Sequence, residues 1–150
     1  MQVLKTGIIV GAVAVLAGFA AVPAMAGGSL FGRGYTSTSI EKEGKPYPLW
    51  HAKELRVDFD HENGSRDVVS WRASCNFYGA EFEVEDDRIV TDQITSSAMG
   101  CSPERRERED RFFARFFKAD PAFVLSQNRL ELSARDVAIK LKQRQGESAP

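Results

Sequence analysis

Val69-Ser70-Trp71-Arg72-Ala73-Ser74-Cys75-Asn76-Phe77 carries the strongest alternation in the chain. Val69, Trp71, Ala73, Cys75 and Phe77 share one face of an extended strand, and Ser70, Arg72, Ser74 and Asn76 share the other, because successive side chains point to opposite sides. This predicts a half-buried strand with Cys75 turned toward the core. Upstream, Leu55, Val57 and Phe59 alternate with Arg56, Asp58 and Asp60, and His61-Glu62-Asn63-Gly64 reads as the connecting turn, since Asn-Gly takes up positive φ at little cost. Downstream, Asn76-Phe77-Tyr78-Gly79 reads as a turn, after which Ala80, Phe82 and Val84 return against Glu81, Glu83 and Glu85. Asp86-Asp87 turns the chain again into Arg88-Ile89-Val90. A period of two with turns every 8–12 residues or so predicts antiparallel neighbours.

One segment has a different period. Ser102 can cap a helix, Pro103 suits its first position and Glu104 faces the positive end of its dipole. Glu104 with Arg108, and Glu107 with Arg111, are favourable pairs four residues apart. The run Glu104–Arg111 mixes acids and bases and is read as a solvated face, while Phe112, Phe113, Phe116 and Phe117 form the apolar stripe that packs on the sheet. Asp120-Pro121 stops the helix, expected over about residues 103–118. On either side, Tyr35–Ile40 is β-prone and Gly44-Lys45-Pro46-Tyr47-Pro48 ends regular structure. Phe123-Val124-Leu125, a turn at Ser126-Gln127-Asn128, then Leu130 and Leu132, and finally Val137, Ile139 and Leu141 complete the strands. The expected class is α+β, mainly β: an antiparallel sheet, or an open barrel-like one, of about 7–8 strands with one helix packed on it.

The start of the chain is different material. Lys5 precedes an apolar run from Gly7 to Val22, then Pro23 and Ala24-Met25-Ala26. A positive start, an apolar stretch and small residues before the cut predict a secretory signal over residues 1–26, cleaved after Ala26. A retained anchor is the alternative, since about 16 apolar residues just reach across a bilayer. Export makes the protein periplasmic or secreted, with no stable span after cleavage. Residues 27–33 are expected to be a flexible linker, 34–143 the folded domain and 144–150 a flexible tail. Outside the cytoplasm thiols tend to oxidise, so Cys75 and Cys101 are expected to form one disulfide. With no C-x-x-C spacing, thiol exchange by this pair is the least favoured role.

The charge balance narrows the partners. The 150 residues hold 20 Lys+Arg against 21 Asp+Glu; losing Lys5 with the signal leaves 19 basic residues and a mature charge of −2, which gives no electrostatic reason to bind nucleic acid. A hydrophobic fraction of 43% with ten Phe supports a packed core. G-x-S-x-G, phosphate-loop, dinucleotide and H-E-x-x-H motifs are missing from the sequence. Asp58-x-Asp60-x-Glu62 is a poor calcium loop, because Gly64 comes one place late and Val69 stands where a bidentate Glu is needed. His51 and His61 have no cysteine near them, and Glu81, Glu83 and Glu85 alternate as the wet face of a strand. No metal, no cofactor and no catalysis are expected, and the chain is taken as a monomer.

Three stretches together are similar to a known pattern. Trp71-Arg72-Ala73-Ser74-Cys75-Asn76-Phe77-Tyr78-Gly79, then Ile94-Thr95-Ser96-Ser97-Ala98-Met99-Gly100-Cys101, then a charged helix ending in apolar residues and a closing Leu130-Glu131-Leu132, resemble the META domain family, the group of the bacterial heat-shock protein HslJ. The resemblance implies a compact β-rich domain with a helix on the sheet. It implies structural roles for Trp71, Asn76, Gly79 and Met99, Asn76 bonding neighbouring backbone, and it carries no catalytic residue. The functional expectation is a non-enzymatic domain with a structural, protein-interaction or envelope stress-response role, its partner an unknown envelope protein. A small apolar ligand or lipid held between sheet and helix, suggested by Trp50, Trp71 and Tyr78, is the alternative.

Overall fold

The computed structural model describes residues 29–50, 52–62, 66–97, 99 and 104–145. The expected signal over 1–26, His51, the Asn63-Gly64 turn, Cys101, Ser102-Pro103 and the end of the tail lie outside the described residues. Strands β1 (Arg33–Lys42), β2 (Lys45–Pro46), β3 (Arg56–Glu62), β4 (Arg66–Arg72), β5 (Phe77–Glu85), β6 (Arg88–Thr91) and β7 (Thr95–Ser96) precede helix α1 (Glu104–Phe117). Strands β8 (Ala122–Ser126), β9 (Arg129–Ala134) and β10 (Val137–Gln143) follow it.

The strand order is β10-β9-β8-β6-β5-β4-β3-β1, and β1 pairs back onto β10, so eight antiparallel strands close into a barrel. Closure removes the free edges that an open sheet would expose. Strand β1 makes it possible by pairing on both sides: Tyr35–Lys42 run along β10, while Arg33–Thr36 run along β3. A register shift between Ser37 and Ser39 bends β1 where it passes from one partner to the next, as a bulge at a barrel corner does. The weakest seam joins β6 to β8 through the single register pair Arg88 and Ala122, helped by Ile89 N–H donating to Pro121 O at 2.9 Å. Two tight hairpins need positive φ at both central residues. Glu43 and Gly44 supply it between β1 and β2, and Asp86 and Asp87 between β5 and β6.

The predicted alternation places the core. Leu55, Val57, Phe59, Val69, Trp71, Ala80, Phe82, Ile89, Leu130, Leu132, Ile139 and Leu141 are all buried inside the barrel. Several expectations need correction. The alternation of β4 ends at Arg72, so Cys75 is only half-buried and Phe77 is 52% exposed. Asn76–Gly79 is no turn, because β5 already begins at Phe77. The bend lies earlier, over residues 73–75, where backbone donors serve the helix instead of a neighbouring strand, as described below. Val84 is exposed at the tip of its hairpin. Lys45-Pro46 pairs with β1 rather than ending regular structure. The lead-in over 27–33 is docked from Leu30 onward: Leu30 is buried, Phe31 stacks on His61 at 4.3 Å, and Gly32 N–H donates to Phe59 O. At the other terminus Arg144 is tied down by its N–H to Gly34 O and by an ion pair with Asp58.

Candidate functional site

Helix α1 covers the mouth of the barrel at which β1 and β4 end and β5 and β10 begin. Phe113, Phe116 and Phe117 are buried, and Phe112 is half-buried and stacked on Tyr47 at 4.4 Å. Phe117 lies against Trp71 at 4.2 Å, Trp71 lies against Tyr78 at 5.5 Å, and Thr91 Oγ1 donates to Phe117 O. The four-phenylalanine stripe packs as expected. Its N-terminal continuation does not follow the expectation of a solvated run. Glu109 and Asp110 are 1% and 2% exposed. The spacing explains it: Glu109, Phe113 and Phe117 are four residues apart, and Asp110 falls three before Phe113, so the acids extend the same stripe. That spacing was the available signal, and the surrounding charges hid it.

Two buried carboxylates need donors, and backbone N–H groups from two loops provide them. Trp50 N–H donates to Glu109 Oε1 at 2.9 Å, while Glu109 Oε2 is buried with no hydrogen-bond partner. Asp110 accepts from Cys75 N–H at 3.3 Å, Asn76 N–H at 3.0 Å and Asn76 Nδ2 at 3.3 Å. Asn76 then reaches a third segment, its Oδ1 accepting from Met99 N–H at 3.0 Å and Ser97 Oγ at 3.3 Å. Helix, β4–β5 bend and the strand β7 segment are thus knotted through one carboxamide. Asn76 does bond backbone, but a segment 23 residues away rather than a turn of its own.

The remaining motif residues surround this knot. Cys75 Sγ lies 3.8 Å from Met99 O, on the segment that leads to Cys101. Met99 is 48% exposed and Trp50 55% exposed. Gly79 sits opposite Thr95 of β7 and Ser70 of β4, and a Cβ there would meet its neighbours only at ordinary distances, 3.9 Å from Val69 O. Of the aromatics suggested as a ligand site, Trp71 stacks on Phe117 of the helix and Tyr78 stacks on Trp71, while Trp50 is exposed. Between α1 and the β9–β10 turn there is an open groove of about 250 Å³, below the usual range of small-molecule sites, about 300–1,000 Å³. The helix charges also reach the tyrosines. Burial pushes Tyr47 and Tyr78 above their ordinary ionisation range, and the charges of Glu109 and Asp110 respectively push the same way. Burial likewise raises Tyr35, against the neighbouring Arg33.

Three of the other acid and histidine candidates have partners elsewhere on the barrel. His61 Nδ1 contacts Asp67 at 2.6 Å, Asp58 is ion-paired with Arg144, and Arg66 holds Glu81 at 2.8 Å. Among the described residues there is no group of three or more His, Cys, Asp or Glu side chains placed to hold a metal ion. The described helix is too short and too polar to cross a membrane.

The family model of the META domain matches residues 28–146, which span all the strands and the capping helix. The chain belongs to the META domain family. Among curated proteins no relative matches it. The META barrel is similar to the NMR structure of a protein from Burkholderia xenovorans, with TM-score 0.64 and 10% identity, covering 78% of this chain and 85% of that one. It is also similar to a second protein solved by NMR, with TM-score 0.54 and 17% identity, covering 74% of this chain and 88% of that one. At such identities the likeness concerns the META fold alone.

Proposed function

We propose that this META domain is exported and acts without catalysis, by binding an envelope protein at the helix-capped mouth in a stress-response role. One observation carries the reading. Trp50 and Met99 are 55% and 48% exposed although each is fastened to the buried knot, Trp50 through Glu109 and Met99 through Asn76 to Asp110. Exposed large apolar side chains on an anchored backbone are the material of protein interfaces. Export is supported by the signal pattern over residues 1–26. In that setting Cys75 joins Cys101. The position of Cys75 Sγ against Met99 O, two residues before Cys101, supports the pairing, as does the lack of a free cysteine among the described residues.

A deletion strain challenged with heat and with antibiotics tests the proposal. The native gene should restore tolerance, and a Trp50→Ser/Met99→Ser double variant with an unchanged melting temperature should not. A deletion strain that tolerates both stresses, or full rescue by the double variant, would overturn it.

A further inference from the structure

We propose that the outer wall of the barrel beside this mouth carries a binding site for a phosphate-type oxyanion. The loop entering β3 and the bend after β4 enclose an open cleft of about 430 Å³, lined by Lys53, Glu54, Arg56, Arg72 and Ser74 among others. Arg56 and Arg72 are direct register partners across the β3–β4 pair. Like charges directly opposite one another on a sheet are destabilising, so the fold maintains a repulsive pair at this position. Glu54 offsets part of it by accepting from Arg56 Nε at 3.0 Å. The cleft still holds three cations against one carboxylate, and Lys53 makes no ion pair among the described residues.

Two further features favour a ligand over a chance accumulation of charge. The Arg72 guanidinium lies 4.5 Å over the Phe77 ring, its own register partner on β5. An exposed phenylalanine thereby becomes a platform that orients the arginine fork without occupying its hydrogen-bond donors. Beside it the Ser74 hydroxyl is buried with no partner, the kind of atom that calls for one. Two arginine forks, an ammonium and a hydroxyl with a surplus charge of two fit a dianionic phosphate better than a single carboxylate.

Isothermal titration of the purified full chain with inorganic phosphate, glycerol 3-phosphate and acetate tests the site. Both phosphates should bind at least about tenfold more tightly than acetate, and Arg72→Gln and Lys53→Gln should each weaken them by about tenfold. Affinity for the ester should fall as pH drops through its second ionisation, near about 6. Arg66→Gln, outside the cleft, should change nothing. Lys53 is exposed on a loop, so its variant keeps the test sharp if Arg72→Gln fails to fold. Tighter binding of glycerol 3-phosphate supports an esterified source such as a lipid headgroup, and preference for the inorganic ion supports free phosphate. Absence of phosphate binding, or binding equal in the native chain, Lys53→Gln and Arg66→Gln, refutes the site.

Discussion

Replacing Asp110 by alanine removes one carboxylate and strips the acceptor from Cys75 N–H, Asn76 N–H and Asn76 Nδ2 together. A hydrogen bond to a charged group contributes about 1.5–3 kcal/mol. The bond to Asn76 N–H at 3.0 Å falls in that range, and the two at 3.3 Å are weaker. The expected loss is about 3–5 kcal/mol, a large share of the roughly 5–15 kcal/mol that holds a domain folded. Asp110→Asn should cost less, about 2–3 kcal/mol, because one oxygen still accepts while the new amide faces donors. Urea unfolding of native and variant chains measures both losses. Amide hydrogen exchange localises them: Asn76 should exchange faster in Asp110→Ala, while Phe59 in the barrel wall keeps its protection relative to global unfolding. A cost below about 1 kcal/mol for the alanine variant would show that the bend and the helix are not held by this carboxylate.

Glu109 differs, since Oε1 accepts from Trp50 N–H and Oε2 is buried without a partner. Glu109→Gln should therefore stay within about 1 kcal/mol of native stability while Glu109→Ala loses about 2–3 kcal/mol, and equal losses in thermal melts would contradict this. A Cβ at Gly34 would collide with the guanidinium of Arg144 and the carboxylate of Asp58. Gly34→Ala should cost about 1–3 kcal/mol and be markedly non-additive with Arg144→Ala in a double-mutant cycle. All three tyrosines of the chain ionise above their usual range for reasons that vanish on unfolding. Because the folded forms hold their protons longer, stability is intact below about pH 10 and is lost as pH rises through the folded values. Ultraviolet titration should find each tyrosine less than half ionised at the ordinary midpoint, and a tyrosine half-ionised there would count against the packing of its ring. If Cys75 and Cys101 are bridged, alkylation before reduction should leave the mass unchanged, and reduction should cost about 3–4 kcal/mol for a closed loop of about 27 residues.

The barrel wall was legible because burial on one side imposes a period of two. Leu55, Val57 and Phe59, or Val137, Ile139 and Leu141, repeat with little interference. Its closure was not legible, since the pairing of Tyr35 with Gln143 depends on a bulge at Ser37–Ser39 and on tilt around the whole ring, and no local pattern encodes either. Phe112, Phe113, Phe116 and Phe117 announced the inner face of the helix. Glu109 and Asp110 did not, because a carboxylate in an acid–base run resembles its solvated neighbours until the helical spacing is extended back from Phe113. The misplacement of Cys75 and Phe77 has the same origin. The alternation of β4 does not continue through the bend, because Asp110 claims the two N–H groups a continuing strand would use.

The chemistry of Asn76 shows what the family pattern does in this chain. Its position demands one group that donates to a carboxylate while accepting from a backbone N–H and a hydroxyl on the other side. A planar carboxamide does this with its two ends, whereas aspartate would set two acceptors against each other and a hydroxyl could not span the gap. The same constraint explains why the bend, the β7 segment and the helix must be specified together: each supplies a partner that the other two leave unsatisfied. These residues close the mouth by tying the helix to the bend and to the β7 segment. What the knot leaves available is what it holds outward, Trp50 and Met99 on the rim and the Arg72 fork above Phe77 on the adjoining wall. On the proposed reading, binding specificity can change at these exposed positions while the knot beneath them stays the same.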